Sequence, residues 1–327
     1  MKRESLALAL ICICGMHTYA FNMDVTVKSR LEGAYNSIYN ENENEYGFGL
    51  SSLYTFLEGD ITDNLSYYAS LHLLSSSPAG LYDYEAPCLN GTWVDMAYLS
   101  YNRDLWGIDL GKVNLNMGGI ANEYDDVDCY SGLVPYNWNE FTTYQYGATL
   151  RLTPGDYNSF ELQVTTSPYM ESFDRLNLAY GLCWRGDWDG FSTSWAVNSI
   201  SDPESTHLNI GLGNKFNIND RWNIEMDAFA HLFDCQLDGF RYSDFTVTGN
   251  YIPAESLSLK AMLGVRGATA LSAGALVEYY PIESLRLHAS FNYCDCDRLP
   301  EDFYGHLSNG TPVEASIGVT YTLDFGF

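Results

Sequence analysis

The chain has 327 residues with 42 acidic and 16 basic side chains, which gives a formal net charge of −26 at neutral pH. This charge argues against nucleic acid as a partner, because binding to phosphates needs clustered lysines and arginines. No stretch of 18 consecutive apolar residues follows residue 20, which excludes a helical membrane protein.

Residues 1–20 have the features of a cleaved signal peptide. Lys2 and Arg3 precede an apolar core, and Ala20 ends a small-residue cleavage site. The apolar core is shorter than the roughly 20 residues that a membrane-spanning helix needs. Removal of these residues would leave 14 bases, 41 acids and a formal charge of −27.

Six cysteines follow residue 20, in a compartment where disulfides can form. Their spacing is not that of a dense disulfide framework, and it indicates neither a metal site nor a cofactor. The sequence does not tell which of them, if any, form disulfides: Cys88, Cys129, Cys183, Cys235, Cys294 and Cys296.

Alternation of apolar and polar residues along nearly all of 21–327 predicts about 16 strands, within a range of about 14 to 18. The predicted strands are 24–38, 46–58, 64–76, 92–102, 106–114, 141–153, 158–168, 176–187, 190–201, 206–218, 221–233, 240–251, 256–267, 271–281, 284–295 and 312–327. Seven connections are short and rich in Asp, Asn, Gly and Pro, which favour tight turns. The other connections are longer, as in a barrel with both chain ends on one side of a membrane.

Strand length and aromatic placement favour a transmembrane barrel over a soluble sandwich or propeller, which can show the same alternation. Strands of about 11–13 residues match a tilted membrane span. Aromatic residues beside the short turns and the C-terminus predict a belt at one membrane interface. They are Phe56, Tyr101, Trp106, Phe160, Trp188, Phe191, Phe216, Trp222, Tyr251, Tyr280 and Phe327. We therefore predict an all-β fold, a transmembrane antiparallel β-barrel of the porin type over 21–327.

If the apolar sets face lipid, the alternate positions face a water-filled lumen. The basic side chains on that face would form the pore wall: Lys28, Arg30, Arg151, Arg185, Arg241, Lys260, Arg266 and Arg286. A wet pore can also be lined by mixed charges with no specific site. The aromatic candidates Tyr68, Tyr280 and Phe229 are too few to predict a track for sugars.

The loop over about 115–140 is long and acidic, and Gly118 and Gly119 would allow a sharp bend. It resembles the loop that folds inward and narrows the channel of trimeric general porins. That resemblance assigns a pore constriction to Glu123, Asp125, Asp126, Asp128 and Glu140. Alternatively, the loop is exposed and binds divalent ions between lipopolysaccharides.

The last strand, 313–327, alternates strictly and ends on Phe327. It resembles the closing strand of bacterial outer-membrane barrels. The resemblance implies an outer-membrane location, contact with outer-membrane lipid and lipopolysaccharide, and recognition of this strand by the barrel-assembly machinery. A homotrimer is also expected, since porins of this size often trimerise.

The run from Thr92 to Gly119 resembles the phosphate-selective porin-like family of Gram-negative bacteria. The matching pieces are Ala97–Tyr101 and Asp109–Lys112, followed by a glycine-containing loop. The resemblance implies a phosphate channel, but the net charge favours cations.

Three functions remain open at this point. The sequence favours passive diffusion of small hydrophilic solutes through a mildly cation-preferring pore. The alternatives are a substrate-specific channel, for phosphate or a sugar, and a structural or adhesin barrel with a blocked lumen. The histidines after residue 20 are scattered and form no paired catalytic motif, so no enzymatic activity is expected.

Overall fold

The computed structural model describes residues 22–38, 43–47, 51–76, 84–85, 93–130, 133–135, 143–169, 177–202, 204–232, 235, 243–267, 270–295 and 313–327. The predicted signal peptide lies outside these residues. Among the helices of the described residues, none is long and apolar enough to span a membrane.

Eighteen strand segments form one sheet, in which the neighbouring segments pair antiparallel. Their bounds are β1 Asp24–Ile38, β2 Glu43–Gly47, β3 Ser52–Thr62, β4 Leu65–Ser76, β5 Tyr84–Glu85, β6 Val94–Arg103, β7 Trp106–Asn114, β8 Tyr144–Leu152, β9 Asn158–Thr166, β10 Leu178–Trp188, β11 Phe191–Ser201, β12 Thr206–Asn219, β13 Trp222–Leu232, β14 Ser243–Ala254, β15 Leu257–Arg266, β16 Ala270–Ile282, β17 Leu285–Cys294 and β18 Val313–Gly326.

These segments make sixteen barrel strands in the described part of the chain. β2 and β3 both pair with β1 and are two pieces of one strand. β5 and β6 both pair with β4 and are likewise two pieces of one strand. The predicted count of sixteen is confirmed. The predicted strand 46–58 was too short, because β2 and β3 together extend from residue 43 to residue 62.

The sheet closes between its first and last strands. β1 pairs with β18 from Asp24 opposite Gly326 to Ser37 opposite Val313. At the end of this seam the backbone N–H of Phe327 donates to the carbonyl of Met23 at 2.9 Å. Among the described strands, closure leaves no unpaired sheet edge, which is what a barrel in lipid requires.

The outward face of the barrel is apolar. Leu263 is 68% exposed and Ile317 is 71% exposed, fractions that suit contact with lipid better than contact with water. Aromatic rings near the short turns also point outward and contact one another. The ring centroids of Trp222 and Tyr251 are 4.2 Å apart, and those of Trp188 and Phe191 are 5.7 Å apart.

Two residues of the predicted belt, Phe56 and Tyr280, face the lumen; Tyr280 was also predicted as a lumen-facing aromatic residue. Phe56 lies opposite Ser70 in the β3–β4 register, on the same face as the inward-facing Tyr54 and His72. Tyr280 directly follows the outward Tyr279 on β16 and therefore points to the other face. Proximity to a turn did not decide the face, because the alternation of the strand did.

Candidate functional site

The chain between β7 and β8 enters the barrel. We call residues 115–130 and 133–135 the inward segment. It contains two short 3-10 helices, Ala121–Glu123 and Asp126–Asp128. Its first residues contact lumen-facing side chains of β9 to β13, and its later residues contact those of β1, β16 and β17. The inward segment therefore follows a large part of the inner wall.

The first turn of the inward segment is held by apolar packing. Leu115 and Met117 are almost completely buried and pack with Ala179 of β10 and Ile200 of β11. Tyr169 packs against the same cluster. Removing these side chains from water stabilises the docked position of the segment.

Polar side chains of the wall form hydrogen bonds with backbone groups of the same turn. The backbone N–H of Asn116 donates to Gln163 at 2.8 Å, and the Asn198 amide donates to the Asn116 carbonyl at 2.9 Å. The Asp227 carboxylate accepts the backbone N–H groups of Ile120 at 2.5 Å and Ala121 at 3.2 Å. The wall thus replaces the water that these groups would bind outside the barrel.

Glycines on both sides allow the close approach. Gly118 and Gly119 have φ angles of +71° and +87°, which residues with a Cβ rarely adopt. On β12, a Cβ at Gly211 would lie 1.9 Å from the Met117 carbonyl oxygen, and one at Gly213 would lie 2.3 Å from the Ile120 nitrogen. The segment therefore rests directly on the backbone of the wall.

Glu123 links the middle of the segment to β10 and β11. Its carboxylate accepts a hydrogen bond from Arg185 at 2.9 Å and one from the Ser194 hydroxyl at 2.7 Å. Arg185 also binds Glu161 at 2.7 Å. The guanidinium is therefore compensated by two carboxylates.

The two aspartates that follow bind the opposite wall. The Lys28 ammonium lies 2.8 Å from both Asp125 and Asp128. Arg286 lies 2.7 Å from Asp128 and 3.4 Å from Glu278. Direct ion pairs therefore join these acids of the inward segment to basic side chains of the wall.

Arg30 holds the backbone of the segment at this wall. It donates to the Cys129 carbonyl at 2.6 Å, and its guanidinium lies 4.3 Å from the centre of the Tyr130 ring. It also pairs with Glu32, which contacts His288 at 2.9 Å. These groups are buried, so the charges are satisfied by one another rather than by water.

The pKa values of two side chains of the inward segment reflect these contacts. Burial acts to raise the pKa of Asp128, but Arg286 and Lys28 outweigh it and hold the pKa below the usual aspartate range. Burial beside Glu225 raises the pKa of Tyr124, whose hydroxyl donates to that carboxylate at 2.6 Å.

The remaining predicted residues take several positions. Lys260 lies 4.8 Å from the centre of the Tyr124 ring, and Arg266 donates to the Val134 carbonyl at 3.4 Å. Arg151 forms two hydrogen bonds to Asp109, at 2.7 and 2.8 Å, on β7 and β8. Three predictions lie outside what the structure describes: Glu140, Arg241 and the side chain of Asp126.

Solved structures of other proteins share this architecture. Two engineered variants of the porin of Rh. blastica match it with TM-scores of 0.62 and 0.61 at 12% identity, covering 93% of this chain and all of theirs. A loop L8 deletion mutant of OmpT, an outer membrane protein of Vibrio cholerae, matches with a TM-score of 0.59 at 13% identity, again over 93% of this chain and all of its own. The fold is that of a porin.

Identities this low show the porin fold and nothing finer. No protein-family model and no curated protein matches the chain. The resemblance of Thr92–Gly119 to phosphate-selective porins therefore remains a prediction.

In this porin barrel, several wall contacts of the inward segment were not predicted from the sequence. Gly211 and Gly213, at alternate positions of β12, were a usable signal, because two lumen-facing glycines leave room for another backbone. Tyr130 was also missed, although its hydroxyl donates to Glu278 at 2.9 Å. Nothing in the sequence indicates which acid it meets.

Proposed function

We propose that this protein is an outer-membrane channel for the passive diffusion of small hydrophilic solutes and ions. The observation that carries the proposal is a closed barrel of sixteen strands with an apolar outside and a charged lumen. A barrel of this size is wide enough to enclose an aqueous passage, whereas eight strands fill their own interior.

The inward segment is the element that would constrict the passage. It is anchored at both walls, by Asp227 and Arg185 on one side and by Lys28, Arg30 and Arg286 on the other. A segment held by so many charged contacts resists displacement by passing solutes. Its position would set the size limit of the channel.

We further propose a mild preference for cations. In the described lumen, six bases form ion pairs with eight different carboxylates. The most solvent-exposed carboxylates of these pairs are on the inward segment, where the side chains of Glu123 and Asp125 are 37% and 43% exposed. Excess negative charge facing the passage raises the local concentration of cations.

A channel selective for phosphate finds less support. An anion site would need bases with free charge, whereas Arg151, Arg185 and Arg286 each contact carboxylates at 2.7 to 3.4 Å. Phosphate would have to displace these carboxylates. The excess of carboxylates at the inward segment would also repel phosphate.

Hydrolytic activity also lacks support from the cluster of Asp202, Ser205 and His207. The Asp202 carboxylate and the Ser205 hydroxyl both contact the same nitrogen of His207, Nε2, at 2.6 and 3.2 Å. A catalytic base instead uses one ring nitrogen for the nucleophile and the other for the carboxylate. This cluster ties the connection before β12 together.

Reconstitution in planar bilayers tests the proposed function. We expect stepwise conductance increments in KCl and a reversal potential under a KCl gradient that corresponds to mild cation preference. The preference should grow as salt is diluted, because screening acts over about 8 Å at physiological ionic strength. Absence of conductance would favour a structural or adhesin barrel, and clear anion selectivity would favour a phosphate-type channel.

We also propose that the protein resides in the outer membrane with lipid and lipopolysaccharide, and assembles as a homotrimer. Small outward-facing residues of three neighbouring strands, Gly249, Ala261 and Ala275, lie directly opposite one another and would permit close subunit packing. Crosslinking in native membranes tests the oligomer, and a purely monomeric product would contradict it.

A further inference from the structure

Aromatic side chains on the lumen side of β3, β4 and β6 form two neighbouring groups, which together we call the track. Tyr54 lies opposite His72 with ring centroids 4.0 Å apart, and Phe56 is the next lumen-facing residue of β3, with its ring 6.0 Å from that of Tyr54. Tyr68 lies opposite Tyr98 with centroids 5.4 Å apart. Of these five residues, only Tyr68 was predicted from the sequence as a lumen-facing aromatic residue.

The rings follow the direction of the strands. On β4, Tyr68, Ser70 and His72 are consecutive lumen-facing positions, and Phe56 lies opposite Ser70. From Tyr68 to His72 the strand rises about 13 Å. The partly exposed rings of Tyr68, Tyr98 and Phe56 span two of these positions, about 7 Å, which is enough to contact one small ring at a time.

The track lies on the part of the wall beside the inward segment. The described contacts of the segment with the wall lie on β9 to β13, β15 to β17 and β1. Lys28 of β1 joins the two elements, since its ammonium is 5.4 Å from the Phe56 ring centre and 2.8 Å from Asp125. A solute passing the segment would therefore move along the track.

Phe56, Tyr68 and Tyr98 are the partly exposed members of the track, whereas Tyr54 is 5% exposed and supports Phe56 from one side. Their ring faces carry partial negative charge and attract the weakly positive C–H groups of a saturated ring. The flat apolar face of a sugar presents such C–H groups, while its edge presents hydroxyls.

The polar groups beside the track can bind the hydroxyls of a sugar. Glu58 lies opposite Tyr68. Arg151 and Asp109 form a compensated pair near Tyr98, and Lys28 is compensated by Asp125 and Asp128. The paired charges offer donors and acceptors to a neutral polyol, and the exposed Glu58 carboxylate offers a further acceptor.

We propose that Phe56, Tyr68 and Tyr98 bind neutral sugar rings by stacking and guide them past the inward segment. This inference deepens the proposed function and rests on it, because a track is useful only in an open channel. It assigns the solute class as sugars and short oligosaccharides, bound weakly enough to leave.

Sugar block of the ion current tests the proposal, with maltotriose as the probe. In the intact protein, maltotriose should reduce the current with saturation, whereas glycerol at equal viscosity should reduce it without saturation. The double variant Tyr68→Ala/Tyr98→Ala should raise the half-blocking concentration about tenfold, equivalent to about 1.4 kcal/mol. The variant Tyr68→Phe/Tyr98→Phe keeps both rings and should retain block.

Tyr101→Ala is the matched control, because Tyr101 lies on the outer face beside Trp106 and should leave the block unchanged. Heat-modifiable migration on gels shows whether each variant has folded. The proposed sugar binding would be overturned if maltotriose and glycerol reduced the current equally, or if the alanine double variant showed unchanged block by maltotriose. Stronger block by tetramethylammonium than by maltotriose would overturn it in favour of an organic cation. If the intact protein shows no conductance at all, the proposed channel function itself is rejected.

Discussion

Lys28 of the first strand and Asp128 of the inward segment are joined by an ion pair of 2.8 Å, although 100 residues separate them in the chain. The pair connects the barrel seam to the element that crosses the lumen. Because Asp128 also binds Arg286, one carboxylate compensates two bases of the wall. Charge inside this barrel is therefore locally balanced, with the excess on the acidic side.

The acids of the inward segment should control ion preference. Replacing Glu123, Asp125, Asp126 and Asp128 together with the corresponding amides leaves Lys28, Arg185 and Arg286 with fewer carboxylate partners. The reversal potential under a KCl gradient should shift towards anions. Neutralising four acids at the short turns (Asp63, Asp156, Asp220 and Glu255) removes equal charge far from the segment and serves as control. An equal shift in both variants would show that net charge, and not the segment, sets the preference.

Asp128 should stabilise the docked segment in a pH-dependent manner. Its pKa is lowered in the folded protein, so the stabilisation is complete above the unfolded pKa of about 3.9 and is lost as the pH falls through the folded value. Asp128→Asn should lower the free energy of unfolding by about 1–3 kcal/mol at pH 7. Urea unfolding across pH measures this. The difference between variant and parent should shrink only below about pH 4, and a constant difference would contradict the ion-pair origin.

The fit between the segment and β12 should be sensitive to a single methyl group. Gly211→Ala places a Cβ 1.9 Å from the Met117 carbonyl oxygen, so the segment must move away from the wall. Overpacking of this kind costs about 1–3 kcal/mol. We expect larger and less uniform single-channel conductance. Gly190→Ala is the control, since a Cβ there meets only the Asn217 carbonyl oxygen, at 3.7 Å. Identical channels in both variants would show that the segment does not limit the passage.

Phe327 should matter for assembly more than for stability. Its side chain is 71% exposed, while its backbone N–H and carbonyl pair with Met23 whatever the side chain is. Phe327→Ser should therefore reduce the fraction of protein folded in the outer membrane, with Phe327→Tyr close to the parent. The urea midpoint of the barrel that does assemble should stay within the error of measurement. A lowered midpoint with normal assembly would contradict recognition of this residue by the assembly machinery.

The sequence by itself determined the barrel. Alternation of apolar and polar residues along strands such as 24–38 and 313–327 predicts which residues face lipid. Asp, Asn, Gly and Pro predict the turns. These signals are local, because the side-chain period of a strand is two whatever it pairs with. They were enough for the number of strands, and they agree with the inward position of the described basic residues, whereas Phe56 was predicted to face outward and faces the lumen.

Only the tertiary structure decided which residues meet inside the lumen. These contacts depend on the register between strands and on the path of the connection between β7 and β8. They include the ion pairs of Asp128, the contacts of Gly211 and Asp227 with the inward segment, and the ring pair of Tyr68 and Tyr98. Such contacts join residues far apart in the chain, so no local period encodes them. A shift of one residue in register would exchange the two faces of a strand. The contact of Phe56 with Lys28 therefore depends on strand pairing, although the alternation of β3 decides which face Phe56 is on.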